Sequence, residues 1–421
     1  MPPTSLWRDR AGQHSIPELA QQHGTPLYVY DASRIRDRVR ELGAFDAIRY
    51  AQKANSNLSI LRLIREAGCV VDAVSAGECG RAFAAGFAAS GEPPGVVYTA
   101  DVFDRESLEL VVAQRIPVNC GSPDMIDQYG ERAGTDAPGI TLRINPGFGH
   151  GHDQKVNTGG ETSKHGIWHE QIEDCVTRAE RHGLRVTGVH AHIGSGVDMT
   201  HLARVAEAVC GYARRVGPSV DTISAGGGLS VPYREGEPRV DPARYFEIWD
   251  TARKKLVAEF GHPVRLELEP GRFLVAEAGL LLTEVRAIKT MGSKSYYLVD
   301  AGFNNLARPV LYGSYHPISI ACAEPDGETR EVVVAGPLCE SGDIFTQSSG
   351  GFVETRELPN ARVGDILTIE CAGAYGFTMG SNYNSKPHAA EVLIDGADAR
   401  LIRRRQPLED LWADELGVDP A

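Results

Sequence analysis

A lysine closes the apolar run in IRYAQKANSN (48–57), the first of a series of polar residues at the ends of β-like segments. Lys53 follows AIRYA, and Asp72 and Glu78 bracket the end of CVVDAVS. Arg143 and Asn145 lie in ITLRINP, and His190, His192 and Ser195 end VTGVHAHIGSG. Gly226, Gly227 and Gly228 follow TISA, and Glu269, Pro270, Gly271 and Arg272 end VRLELEPGRF. Each alone has an ordinary explanation: a surface lysine, a satisfied histidine, a turn glycine. Jointly they match one chemistry. An amine can form a Schiff base, and successive glycine N–H groups can converge on a phosphate. A flat imidazole can stack on a ring, and a carboxylate can keep a pyridine nitrogen protonated. These are the needs of pyridoxal 5'-phosphate (PLP), met in turn by Lys53, the triple glycine, His192 and Glu269. A carboxylate partner makes the ring a strong electron sink, which favours decarboxylation; an arginine there would favour racemisation.

The elements that must position these residues alternate. Strand candidates AIRYAQK, CVVDAVS, GVVYTAD, IPVNC, ITLRINP, VTGVHAHIG, TISAGGG and VRLELEP are separated by helical patterns such as NLSILRLIREAG and HLARVAEAVCGYARRVG. About eight strands with crossovers predict an α/β protein built on a (β/α)8 TIM-type barrel, whose sites lie at the C-terminal strand ends. A doubly wound open sheet is the alternative. Beyond about residue 276 the chain turns β-rich (KSYYLVDAGF, REVVVAGPLC, DILTIECAGAY, AAEVLI, ARLIRRR), which predicts a mostly antiparallel, Greek-key-like second domain. PLYVYD is expected to pair with it, and PLEDLWADEL to form a terminal helix. The expected domains are 30–275 for the cofactor-binding barrel, and 1–29 with 276–421 for a β domain supplying substrate and dimer contacts.

At 421 residues the chain is long for one core. Its net charge of −13 argues against a nucleic-acid or anionic-membrane binder. No signal peptide or membrane-spanning stretch is visible. The 8 cysteines show no C-x-x-C pair, which fits reduced thiols in a cytoplasm.

YAQKAN, VDAVSAGE, HIGSG, SAGGGLS, EPGRFLV, CESGD and GAYGFTMGSNYNSKP together resemble the diaminopimelate decarboxylase family, within the alanine racemase/ornithine decarboxylase group of PLP enzymes. The resemblance runs from PLYVYD to LIRRRQ. It implies decarboxylation of meso-2,6-diaminopimelate to L-lysine and CO2. It implies Lys53 as the Schiff-base lysine, Asp72 and Glu78 on the cofactor side, and Arg143 orienting polar groups. His192 would stack on the cofactor, Ser195 contact its phosphate, and Gly226–Gly228 with Glu269, Pro270, Gly271 and Arg272 complete the cradle. Arg272, Arg308 and Tyr312 would bind the distal end of the substrate and Glu340 its ammonium. Tyr375 would touch cofactor and substrate, and Cys339 would be the proton donor. Cys339 and Glu340 would enter from the partner subunit of a homodimer. No metal is implied: His150, His152 and His165 match the family's substrate-side loop, and zinc is the minority reading.

The rival readings are a related decarboxylase acting on ornithine, arginine or a carrier-bound glutamate, and a non-catalytic PLP-binding regulator. Glu340 in CESGD favours diaminopimelate.

Overall fold

In the computed structural model the structure describes residues 10–134, 136–148, 159–192, 198–321 and 327–418. It divides into two compact units. One comprises Arg36–Val231 and Pro238–Phe273; the other comprises the chain up to Ile35, Pro232–Glu237, and the chain from Leu274 on.

The first unit is a closed parallel barrel. Its eight strands are Ala47–Ala51, Val70–Ala73, Val96–Ala100, Val118–Cys120, Ile140–Asn145, Val186–His190, Thr222–Ser224 and Arg265–Leu268. Each pairs in parallel with its neighbour in chain order, and Arg265–Leu268 pairs with Ala47–Ala51 to close the ring. That closing pair rules out the doubly wound alternative. A short extra strand, Ile167–Trp168, pairs in parallel with the C-terminal end of Ile140–Asn145.

Local sequence explains where the helices start. Asn57 caps Leu58–Glu66 by accepting from the Ser59 N–H at 2.9 Å. In SAGE, Ser75 accepts from the Glu78 N–H at 3.2 Å while Glu78 reaches back to the Val74 N–H at 2.9 Å. This resembles a capping box shifted by one residue, since Glu78 reaches the N–H before the N-cap Ser75, and the two bonds start the helix Ala76–Ala84.

The barrel interior is polar on one level. Arg49 points inward from the first strand and meets Glu267 of the last by two hydrogen bonds, at 2.9 and 3.0 Å. Its remaining nitrogen donates to the Pro94 carbonyl at 3.0 Å. Both side chains are buried, so the bidentate fork must replace the water each has lost.

The second unit carries a mixed sheet around the 13-residue strand Gly279–Met291. That strand pairs antiparallel with Leu27–Asp31, Lys294–Val299 and Ile366–Ile369. Leu27–Asp31 also pairs in parallel with Ala390–Asp395, so the segment read as PLYVYD does join the β-rich sheet. Alternate residues Leu27 and Val29, Leu280 and Leu282, Val392 and Ile394 fill one core, the residues between them being buried on the other face of the sheet. Six of the eight strand pairings are antiparallel, the exceptions being those of Leu27–Asp31 with Ala390–Asp395 and of Lys294–Val299 with Thr329–Ala335.

The terminal helix expected over PLEDLWADEL does not form. Only two 3-10 turns occur, Leu408–Leu411 and Ala413–Glu415. Leu408, Trp412 and Leu416 stay exposed, so the apolar face lacks the packing that an isolated short helix requires.

Candidate active site

Lys53 sits one step beyond its expected place at a strand end. The strand stops at Ala51, and Lys53 lies in the 3-10 turn Gln52–Ala54. Gln52 and Ala54 are buried and Lys53 is exposed. The turn therefore anchors two neighbours and projects the amine at the C-terminal end of the barrel.

Two carboxyl groups face that amine from inside the barrel. Asp72, on the second strand, and Glu269, just past the eighth, are 4% and 7% exposed. Burial first, then the neighbouring Glu269 charge, raises Asp72 above the ordinary carboxylate range, against the pull of Lys53. Glu269 is raised too, by burial, while Ser224, Arg49, Arg143 and Lys53 favour its ionised form. Asp72 Oδ1 makes no direct hydrogen bond, although the Thr99 hydroxyl beside it favours its ionised form. Two buried acids of raised pKa, one with an orphaned oxygen, are a site built for a cation that is not part of the chain.

Glu269 is fixed in place. The Ser224 hydroxyl donates to its Oε1 at 2.7 Å. His190 Nε2 approaches its Oε2 at 3.2 Å, outside good hydrogen-bond alignment. The Asn119 amide donates to His190 Nδ1 at 2.8 Å, which leaves the imidazole proton on Nε2, toward Glu269. Burial, then the Arg143 and Lys53 charges, holds His190 and His192 well below the ordinary histidine range, so both are neutral.

The triple glycine does something the sequence did not suggest. The Gly227 N–H donates to His192 Nδ1 at 2.9 Å, and the Gly226 N–H to Ser224 Oγ at 3.1 Å. Two of the three N–H groups expected to face a phosphate are thus spent orienting His192 and bracing Ser224. The glycines are needed for close approach as well. A Cβ on Gly226 would lie 2.3 Å from the Ala191 carbonyl oxygen, and one on Gly227 2.5 Å from that of Glu269. Gly228 follows at φ +95°, a conformation that favours glycine.

Beside this group, Asp101 takes the Gly166 N–H at 2.8 Å and His165 Nδ1 at 2.5 Å, with Arg143 at 3.8 Å. Burial opposes its charge, but the His165 bond and Arg143 hold its pKa below the usual range. Asn145 binds the Gly160 N–H at 2.9 Å and the carbonyls of Gly160 and His165, each at 3.1 Å. Arg143 and Asn145 therefore help shape the turn at 159–166. Pro270 and Gly271 continue from Glu269, the Pro270 carbonyl accepting from the Ala51 N–H at 3.1 Å, and Arg272 opens the short helix Arg272–Val275. Ser195, His150 and His152 lie outside the described residues. Among the described residues no cluster of three His, Cys, Asp or Glu is placed to hold a metal.

The remaining expected site residues belong to the β unit. Arg308 and Tyr312 begin and end the short helix Arg308–Tyr312, and Arg308 is buried. Cys339 and Glu340 are exposed, on the bend after Thr329–Ala335. The Cys339 N–H donates to Asn384 Oδ1 at 2.7 Å, and Asp343 anchors the same bend through the Leu338 N–H at 2.8 Å. Tyr375 and Asn384 have φ of +57° and +53°, conformations rare for non-glycine residues and concentrated at functional sites. Asn119, Ser224, Asp101 and Asn384 were not singled out from the sequence. Ser224 carried a usable signal, since it is the last strand residue before the glycines.

A family model for the pyridoxal-dependent decarboxylases, pyridoxal binding domain, matches residues 32–276. The diaminopimelate decarboxylase of Streptomyces coelicolor is 56% identical over 100% of this chain and 96% of its own length. That of Escherichia coli K12 is 53% identical over 94% and 95%. A crystal structure of diaminopimelate decarboxylase superposes with a TM-score of 0.95 at 50% identity, covering 100% of both chains. The Helicobacter pylori enzyme complexed with L-lysine gives 0.85 at 32% identity, covering 94% of this chain and 98% of that one. By sequence, fold and the disposition of its buried acids and lysine, the chain belongs to the pyridoxal-dependent decarboxylases, in the diaminopimelate decarboxylase family.

Proposed function

We propose that the chain removes CO2 from meso-2,6-diaminopimelate to give L-lysine, with PLP held in the barrel and the site completed by a partner subunit. The observation that carries this reading is the buried pair Asp72 and Glu269 facing Lys53, with Glu269 braced by Ser224. A protonated pyridine nitrogen would give these buried carboxyl groups a hydrogen-bond donor, so the residues fit the cofactor. Bound there, PLP provides the electron sink that takes up the pair left behind when CO2 departs.

The chain's own residues do the rest. The Lys53 amine would hold the cofactor, whose carbonyl group would supply the electrophile for an amine substrate. Glu269 keeps the proton on the pyridine nitrogen, and burial and the Glu269 charge disfavour a second negative charge on Asp72. His192, neutral and oriented by Gly227, offers a flat ring face for stacking. Gly228 and Ser195 are assigned to the phosphate. The substrate carries an ammonium and a carboxylate at each end, so selectivity needs a clamp on the end that does not react. Arg308 and Arg272 are assigned to that carboxylate as planar forks, Tyr312 to the same end of the substrate and Glu340 to the ammonium. Tyr375 contacts cofactor and substrate. Cys339 delivers a proton to Cα.

Cys339 and Glu340 are exposed in the single chain, and we assign them to the active site of a partner in a homodimer. No described helix is long and apolar enough to cross a membrane, and six of the seven described cysteines are buried free thiols. We assign the enzyme to the cytoplasm on these grounds.

The test is CO2 release from meso-diaminopimelate with and without added PLP, beside ornithine, arginine and a carrier-bound glutamate. PLP-dependent release from diaminopimelate alone is expected. Faster release from another substrate would replace this reading, and no release from any would favour a non-catalytic PLP-binding regulator.

A further inference from the structure

Arg308 Nη1 lies 2.9 Å from His316 Nε2, and His316 Nδ1 lies 2.8 Å from the Glu370 carbonyl oxygen. These two contacts fix the imidazole completely. A carbonyl oxygen only accepts, so Nδ1 carries the hydrogen. A guanidinium only donates, so Nε2 presents its lone pair. The ring is therefore neutral and in one tautomer, and a proton on Nε2 would set two cations against each other. Tyr233 adds a third hold: its hydroxyl accepts from Arg308 Nη1 at 3.1 Å, and its ring lies 4.9 Å from the guanidinium carbon. The same ring meets His316 edge to face, with centroids 5.4 Å apart. Arg308 and His316 are 5% and 2% exposed. An imidazole nitrogen, a phenol oxygen and a ring face all hold the guanidinium.

We propose that His316 is the positioning residue that presents Arg308 to the distal carboxylate of the substrate. A neutral acceptor orients the guanidinium without adding a negative charge of its own. The fork is also prealigned, so less side-chain freedom is lost on binding. The inference rests on the assignment of Arg308 as a carboxylate binder.

The test is steady-state decarboxylation of meso-diaminopimelate by the holoenzyme. His316→Ala should raise KM about tenfold, the scale of one hydrogen bond to a charged group, and leave kcat within about twofold. His316→Gln, whose Oε1 can accept where Nε2 did, should recover most of the loss. In an Arg308→Ala background, His316→Ala should add nothing further to KM. An unchanged KM in Arg308→Ala itself would overturn the carboxylate-binding assignment. A raised KM in Arg308→Ala with an unchanged KM in His316→Ala would overturn the positioning role alone. So would equal loss in His316→Gln and His316→Ala, or additive losses in the double variant. Should His316→Ala not fold, the glutamine variant decides: near-parental KM supports the role, and a KM like that of Arg308→Ala overturns it.

Discussion

The Ser224 hydroxyl donates to Glu269 Oε1 at 2.7 Å across two adjacent barrel strands. The paired strand ends Thr222–Ser224 and Arg265–Leu268 set this distance, and the Gly226 N–H braces Ser224 from behind. The contact favours the ionised form of a carboxyl that burial would otherwise neutralise. Ser224→Ala should weaken PLP binding about tenfold, on the scale of a hydrogen bond to a charged group. Spectrophotometric titration of the cofactor-free protein measures it, and unchanged affinity would show that Glu269 needs no such support.

Asp72 makes stability depend on pH in the direction opposite to an ordinary carboxylate. Its pKa is raised in the fold from 3.8, so ionising it costs the folded state more than the unfolded one. The stability it allows is present at low pH and is lost as pH rises through the raised value. Asp72→Asn cannot ionise. In the cofactor-free protein its Tm should exceed the parent's by a margin that widens from about pH 5 to about pH 9. A constant margin would mean that Asp72 titrates normally.

Arg49 and Glu267 form a buried bidentate pair in the barrel interior. Arg49→Met leaves the buried Glu267 charge without its bidentate partner, with only Arg265 at 4.0 Å, and should cost about 3 kcal/mol of stability. Arg49→Met with Glu267→Leu removes both charges and should recover most of that. Chemical denaturation of the three proteins gives the comparison. A double variant no better than the single would show that packing, not charge, is what the pair supplies.

Lys53 and Cys339 lie in different units, and the proposed shared site brings Cys339 from the partner. Lys53→Ala and Cys339→Ala should each lose nearly all turnover. Mixed under conditions of subunit exchange, they should regain about a quarter of parental activity, the share of site copies with both residues intact in an exchanging dimer. Activity that stays at background would place both residues in one chain's site.

Much of the barrel was legible because its signals are local. Apolar runs at regular spacing and glycines at helix ends each act within a few residues. The positions of Lys53, Asp72, His192 and Glu269 followed, since strand-end residues of a parallel barrel share one rim. The terminal helix failed for the converse reason. PLEDLWADEL has an apolar periodicity, but a short helix is stabilised by what it packs against, and Leu408, Trp412 and Leu416 find no such face.

The sequence by itself determined the alternation, the strand count and the residue types at the strand ends, because a strand's period and a helix's caps are written in neighbouring residues. Only the tertiary structure decided how those groups are paired. Ser224 holds Glu269, Asn119 sets the proton on His190, Gly227 is spent on His192, and His316 meets Arg308 as a neutral ring. Most of these partners are 35 to 71 residues apart in the chain. Hydrogen-bond direction and protonation state depend on which groups meet after water is excluded, and that is settled by packing.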